Sequence, residues 1–517
     1  MTLSYSKLKT PIFLYLSLPA FLFLAFFLRL SVAIPCVAAY GLMLYFALRK
    51  DRTLPKAEKT IKVSGVTLAV LFLVILLWTF LGGLNGHWFQ TSDWDCRNAI
   101  FRDLITHRWP VRYQNGSALV YYVGHWLPMA GVAKIFLHFG GLELAWSVGQ
   151  NLLWLWTAAG LYFLLLLLLV YHEVKDRKQI LLVVLLLIFF SGMDIVGTVL
   201  TGRLGEFFSP NELHLEWWSA RYQFSSITTC VYWVFNQSVI PWLTVMCFLH
   251  EKTPKNYVFL GIACLSCGPF PMVGLVVLML VRGMEYLVTV LKAKDHVGKK
   301  RAWELLFPSN LLGCITVLPV YLLYYTCNTA TSQTVAQDSV GIFRGMLERT
   351  IQQFSENFIK SLVCFAAFFV LEVGVYLVLV YREHKRDPLY YAVFVSLLLI
   401  PHFQIGLSMD FCMRVSIPAL FLLMVYCGEY LLHHLNNLKK PWSPEKIRTL
   451  LLAACLLVGA VTPCVEIGRG VYHVIAERTT ELAYDVIYSF ENEPVMYNFS
   501  TEFPDKTLFF RYLGKGV

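Results

Sequence analysis

Apolar residues in this chain gather into long runs that polar stretches interrupt only briefly. Runs near 11–29, 31–48, 63–83, 144–170, 179–200, 225–249, 305–326, 361–381, 389–407, 415–435 and 448–466 match the about 20 residues that a membrane-spanning helix needs. The stretch 256–292 is broken by Gly268, Pro269, Phe270 and Pro271, and reads as two short spans or a re-entrant hairpin. Either way, both of its ends lie on one side. The pattern predicts an all-α polytopic membrane protein with about 11–13 transmembrane helices. It divides into an N-terminal three-span unit (1–83), a long outer loop (84–143), a main transmembrane bundle (144–466) and a small outer C-terminal segment (467–517).

Composition narrows the class. The 517 residues are 57% hydrophobic and 15% charged, against about 25% charged in a soluble domain. Disordered, collagen-like and disulfide-scaffold classes fail as well, because the chain is too apolar and too poor in proline, glycine and cysteine. The net charge of +10 fits loops bordering an anionic bilayer rather than a nucleic-acid partner. A long first apolar segment followed at once by another is not a cleaved signal peptide.

Charge sets the expected orientation. Lys50, Lys56, Lys59 and Lys62 fill one loop, and Lys175, Lys178, Lys252, Lys255, Lys292, Lys294, Lys299, Lys300, Lys385, Lys439, Lys440 and Lys446 fill alternate ones. By the positive-inside tendency these loops and the N-terminus are cytoplasmic, in a plasma (inner) membrane. The opposite loops carry arginine instead, among them Arg97, Arg102, Arg108, Arg112, Arg203, Arg221, Arg344, Arg349 and Arg414. Arginine's planar fork suits phosphate and carboxylate. With 144–170 as the only clear span before the Lys175 loop, 118–138 is expected to lie on the outer face. Tyr121, Tyr122, His125, Trp126, Pro128 and Lys134 suit that interface. Most cysteines sit in apolar runs. Cys264 and Cys267 have C-x-x-C spacing, but inside the membrane, while the pairing of Cys96, Cys327 and Cys412 is not readable.

Candidate chemistry concentrates outside the spans. Asn85, His87, Gln90, Asp93, Asp95, Arg97, Asn98, Arg102 and Asp103 form the densest polar cluster, interleaved with Trp88, Phe89 and Trp94. On an extended backbone Asp93 and Asp95 would point to the same side. They could then hold a divalent cation such as Mg or Mn, or one could act as a general base with a raised pKa. Alternatively, one of them caps the helix opening near Asn98. A second loop carries Glu206, Glu212, His214, Glu216, Trp217, Trp218 and Arg221. Its tryptophans form either an interface belt or a stacking platform for a sugar, with Glu216 or His214 binding hydroxyls. Asn236 and Gln237 are intramembrane amides suited to helix–helix hydrogen bonds. Asp410 and Arg414, four residues apart, either pair on one helical turn or leave Arg414 to take a phosphate. Asp194 and Glu372 stand as lone carboxylates within spans.

The general plan resembles the GT-C superfamily of integral-membrane glycosyltransferases. The acidic pair in Ser92-Asp93-Trp94-Asp95, the interface stretch 118–138 and the many spans ending in an outer segment carry the resemblance. Two departures stand out. The acidic loop follows the third span instead of the first, and the C-terminal segment is short. The resemblance implies a polyprenyl-phosphate-linked sugar donor and an unidentified glycan, lipid or protein acceptor. Arg414 would hold the donor phosphate, with Arg102, Arg203 and Arg221 in reserve. Asp93 would take the acceptor's proton, assisted by Asp95 or a metal bound there. His87, His214, Glu216, Trp217 and Asp410 would contact sugar or acceptor. Three other readings share these features: a flippase for lipid-linked saccharide, an outer-face polysaccharide ligase or polymerase, and a scaffold subunit.

Overall fold

A computed structural model describes residues 1–49, 58–208, 213–292, 307–330, 339–405, 409–439, 441–476, 489–492 and 498–516. The fold is built almost wholly of helices. Among the described residues, nine helices are long and apolar enough to cross a membrane, or ten if a bent pair counts as one span. Two shorter apolar helices, Gly65–Phe80 and Pro388–His402, accompany them. The chain is therefore a multi-pass integral membrane protein.

The first part of the chain comprises α1 (Tyr5–Phe26), α2 (Leu30–Leu48), α3 (Gly65–Phe80), α4 (Trp94–Thr106) and α5 (Leu127–Tyr171). Next come α6 (Arg177–Phe189), α7 (Asp194–Leu200), α8 (Leu204–Phe207), α9 (Ile227–His250), α10 (Tyr257–Cys267) and α11 (Pro269–Lys292). Then follow α12 (Pro308–Tyr325), α13 (Ser339–Glu356), α14 (Phe358–His384), α15 (Pro388–Leu399), α16 (Asp410–Val415), α17 (Ile417–His434), α18 (Pro444–Gly459) and α19 (Val461–Ala476). Side-chain caps start several of them. Ser64, Asp176, Ser226, Asp387 and Ser443 each accept a backbone N–H from the first turn. This satisfies donors that a helix start otherwise leaves open.

Helix α9 is the central post, with its apolar window entirely buried. α5, α10, α1, α17 and α11 pack around it. One end of the bundle gathers the lysines. There Lys9 pairs with Glu251, Lys59 pairs with Glu173, and Arg282 meets Asp387. A small sheet closes the same end, where β1 (Thr2–Ser4) lies antiparallel to β2 (Thr60–Lys62).

The 118–138 stretch is composite. It contains β3 (Ala118–Leu119), a 3-10 turn at Val123–His125 and the start of α5. Gly140 and Gly141 then break α5, with Gly141 at φ +68, so the helix before the break and the span after it are separate segments. Glycine takes that φ without the Cβ penalty. The 256–292 stretch is a hairpin. α10 is only 11 residues long and rises from beside Glu251 to Ser266, whose carbonyl lies against Gly124. Gly268 ends α10, and α11 returns to the Arg282–Asp387 contact.

The C-terminal segment folds back over the end opposite the lysines. β4 (Ser500–Thr501) pairs with β3, and Arg112 reaches Asp505. Leu28 bridges Gly514, and Arg29 donates to the Arg511 carbonyl at 2.8 Å. The aromatic residues of this segment, Tyr484, Tyr488, Tyr497, Phe499, Phe509 and Phe510, are its natural apolar set; Phe499, Phe509 and Phe510 pack inward, and the three tyrosines lie outside the described residues. All thirteen cysteines are free thiols.

Candidate functional site

The end opposite the lysines brings together three separate pieces of chain. The first is the turn into α4. Trp94 is buried, stacks on Phe235 with ring centroids 5.0 Å apart, and donates its indole N–H to the Tyr232 carbonyl at 3.1 Å. This anchors α4 on the central helix. A buried amide chain fixes the other side of α4. Gln150 donates to Asn98, Asn98 donates to Gln90, and Gln90 donates to the Gly83 carbonyl at 2.7 Å. Gly83 sits at φ +74, and a Cβ there would lie 2.4 Å from the Phe89 carbonyl oxygen, so this turn requires glycine.

Asp93 is the residue held by that framework, with its side chain half exposed at the mouth of the site. Arg97, one turn on and nearly buried, donates to Asp93 Oδ2 at 2.9 Å. Burial alone would raise the Asp93 pKa. The charge and hydrogen bond of Arg97, then the charges of Arg414 and His214, more than offset it and hold the carboxyl below the usual range. The direction is opposite to the raised value expected for a poised general base.

The acidic pair does not share a side. Asp93 has helical φ/ψ (−62, −21), and Asp95 lies in the first turn of α4. Residues two apart on a helix do not face each other. A helical turn has replaced the extended backbone on which the pair would converge. Among the described residues no group of three or more His, Cys, Asp or Glu side chains is placed to hold a metal ion.

The second piece is α16. Arg414 has a nearly buried side chain, donates to the Tyr122 hydroxyl at 2.7 Å and pairs with Asp410 at 3.2 Å. Both readings of this segment are thus compatible: the pair exists, and Asp410 is half exposed and displaceable. Arg414 Nε is buried and meets no acceptor. Burial works against its charge, but Tyr122, Asp410, Tyr121 and Asp93 outweigh that and hold the guanidinium protonated. The hairpin of α10 and α11 sets α16 in place. Gly274 lets the Val415 carbonyl approach to within 2.2 Å of where a Cβ would sit, and Phe270 packs edge-on against Phe411.

The third piece is the loop before α9. His214 is buried, lies 3.3 Å from Glu466 and packs 4.0 Å from the Trp233 ring. Glu466 also accepts the Trp233 indole N–H at 3.0 Å and pairs with Arg469 at 3.3 Å. His214 thereby sits between Asp93 and the α19 carboxylate.

The other expected residues are placed differently. Glu216 accepts from Gln223, Ser225 and the Ser226 backbone N–H, so its oxygens are spent on the start of α9. Trp217 donates to Gln223 and packs edge-on against His214. His87 is exposed on a turn, with its backbone N–H held by Asn85. Arg102 turns toward Asp103, and Arg203 is paired with Glu206 at 2.8 Å. Arg221 donates to Ser361 and lines a shallow open cleft with Arg349, Gln404, Met409 and Cys412, against α16. Glu212 and the Arg344 side chain lie outside the described residues.

Arg97 and Asp103 stood in the candidate cluster without a role, while Tyr122 and Glu466 were outside the expected site. The four-residue spacing of Arg97 to Asp93, the spacing of helical ion pairs, carries the signal for its role. Asp103 accepts from Tyr113, Ser489 and the Phe490 backbone N–H and ties the C-terminal segment to α4.

The result is a carboxylate at the mouth of the site, flanked by two guanidiniums and an imidazole, with two tyrosines tilted against each other (Tyr121 and Tyr122, centroids 3.7 Å apart) beside them. Such a set can bind an anion and orient a hydroxyl. Searches against family models, curated proteins and solved structures find no match to this chain.

Proposed function

We propose that this protein is a membrane glycosyltransferase that moves a sugar from a polyprenyl-phosphate donor to an acceptor hydroxyl. The observation that carries the reading is the electrostatic interaction of Asp93 with Arg414 at one site, although they lie far apart in sequence. Arg414 takes the donor phosphate on its unpartnered Nε, with Asp410 swinging aside. Asp93 orients the acceptor hydroxyl. The hydroxyl oxygen attacks the anomeric carbon while the bond from that carbon to the phosphate oxygen breaks. The leaving phosphate keeps the bonding pair, and configuration inverts. The hydroxyl proton passes to the Asp93 carboxylate or to the departing phosphate. Positioning and neutralisation of the leaving group lower the barrier. On the positive-inside tendency we read the N-terminus as cytoplasmic and the site as facing outward, and we take the membrane to be the plasma membrane.

A turnover assay in nanodiscs with a panel of polyprenyl-phosphate sugars tests the reading. Asp93→Asn should abolish transfer while donor binding survives. Equal turnover in wild type and Asp93→Asn would refute Asp93 as the acceptor-side carboxylate and favour a ligase or polymerase that uses only the arginines.

A second reading, a flippase for lipid-linked saccharide, draws on one observation. Asn236 and Gln237 are fully buried in α9 beside a break at Val234, and none of their four amide atoms has a partner. Such groups are costly unless something polar visits them. Movement of a fluorescent lipid-linked saccharide across proteoliposomes, unaffected by Asp93→Asn, would support it.

A further inference from the structure

Asp194 and Glu372 read as two unrelated carboxylates in the sequence. They meet in the structure. Asp194 begins α7 just after the bundle's bent pair of helices breaks, and Glu372 lies in a π-helical turn, Val370–Gly374, inside α14. Both are buried, at 1% and 2% exposure, and lie within hydrogen-bonding reach of each other. Their outer oxygens are well served. Ser191 and Thr462 donate to Asp194 Oδ2 at 3.0 and 2.8 Å, and Trp218 donates to Glu372 Oε1 at 2.8 Å. The remaining two oxygens, Asp194 Oδ1 and Glu372 Oε2, have no donor.

The charges around the pair worsen the problem. Glu216, on the turn above, is a third anion acting on both carboxyls. Tyr376 on α14 and Cys412 on α16 also face it, and both are neutral near neutral pH. From α19 the pair meets Thr462, and Glu466 lies one turn further along that helix. From α18 it meets backbone, since Tyr376 donates to the Cys455 carbonyl. Two unbalanced anions so close in a low-dielectric interior are untenable. One proton removes a charge and gives both orphan oxygens a hydrogen bond.

We propose that Asp194 and Glu372 form a proton-binding site that holds one shared proton and joins the helix break at 190–193 to the π turn of α14. The site is independent of the transferase reading. Its geometry leaves no slack, since a Cβ on Gly192 would lie 1.8 Å from Glu372 Oε2. Loss of the proton would set two negative charges against each other and splay the two helices.

Infrared spectroscopy of the protein in a maltoside detergent, which has no carbonyl of its own, tests this directly. Near neutral pH the wild type should give a carboxylic-acid C=O stretch. Both Asp194→Asn and Glu372→Gln should lose it, because either amide can donate to the remaining carboxylate. Thr462→Val, which removes one hydrogen bond and keeps both acids, should shift it. Absence of the band in wild type would overturn the proposal, and that result needs no variant to fold. So would its loss in only one of the two variants, which would assign the proton to one acid alone. So would thermal stabilisation by sodium over choline without an acid band, which would make the ligand a metal cation.

Discussion

Arg414 donates to the Tyr122 hydroxyl at 2.7 Å, a contact that ties α16 to the segment between α4 and α5. It aims a buried guanidinium whose Nε has no acceptor of its own. A hydrogen bond to a charged group contributes about 1.5–3 kcal/mol. Tyr122→Phe should therefore reduce turnover by roughly ten- to a hundredfold, a loss of about 1.4–2.8 kcal/mol, while leaving the fold intact. Arg414→Lys should be no better than Tyr122→Phe, because a point charge cannot reproduce the fork. Steady-state kinetics of the two variants, alongside melting curves, checks this.

The two aspartates of the acidic pair should separate cleanly. Asp93 interacts with Arg97, Arg414 and His214, while Asp95 is exposed on the first turn of α4. Asp95→Asn should change turnover by no more than about threefold, as for an ordinary surface charge worth under about 1 kcal/mol. Chelation of divalent cations should have no larger effect through this pair. A collapse of activity in Asp95→Asn would restore the shared-metal reading.

The pH profile carries a definite sign. Asp93 has its pKa lowered in the folded protein, so the stabilisation it contributes is present above its unfolded value of about 3.9 and is lost as pH falls through the lower folded value. Activity that depends on ionised Asp93 should hold from neutrality down to about pH 4 and show its acid limb only below that. An acid limb that begins above this range in wild type would contradict Asp93 as the group that sets it.

Glu216 and Asp103 should behave as structural residues. Glu216→Ala leaves the Ser226 N–H and two side-chain donors without their acceptor, and Asp103→Ala releases Ser489 and Phe490 from α4. Each should cost about 2–4 kcal/mol of stability, since buried donors are left unsatisfied. The signatures differ. Asp103→Ala should expose the C-terminal segment to limited proteolysis at lower temperature, whereas Glu216→Ala should lower the melting temperature without freeing the tail.

The spans were legible because bilayer thickness imposes a minimum apolar run, and that requirement is local in sequence. The break at Gly268 was marked by glycine and proline, whereas the one at Gly140 and Gly141 was not singled out. Nor was the helical turn at Asp93. An Asp-x-Asp pair next to a helix start is ambiguous until the neighbouring Trp94 finds its place on Phe235. Asp93 and Arg414 were identified by residue type and position relative to the spans, whereas their meeting is a product of tertiary packing. Glu216 misled for the same reason. Its exposure was inferred from its loop, while the fold buries it under α9. The Asp194–Glu372 pair was invisible for want of any local signal linking the two.

Native mass spectrometry of lipid retained by the purified protein, compared with Arg414→Ala, tests the central claim most directly. A polyprenyl-phosphate or its sugar adduct on the wild type, lost from the variant, is the predicted result. Bulk phospholipid alone, the same on both proteins, would contradict it.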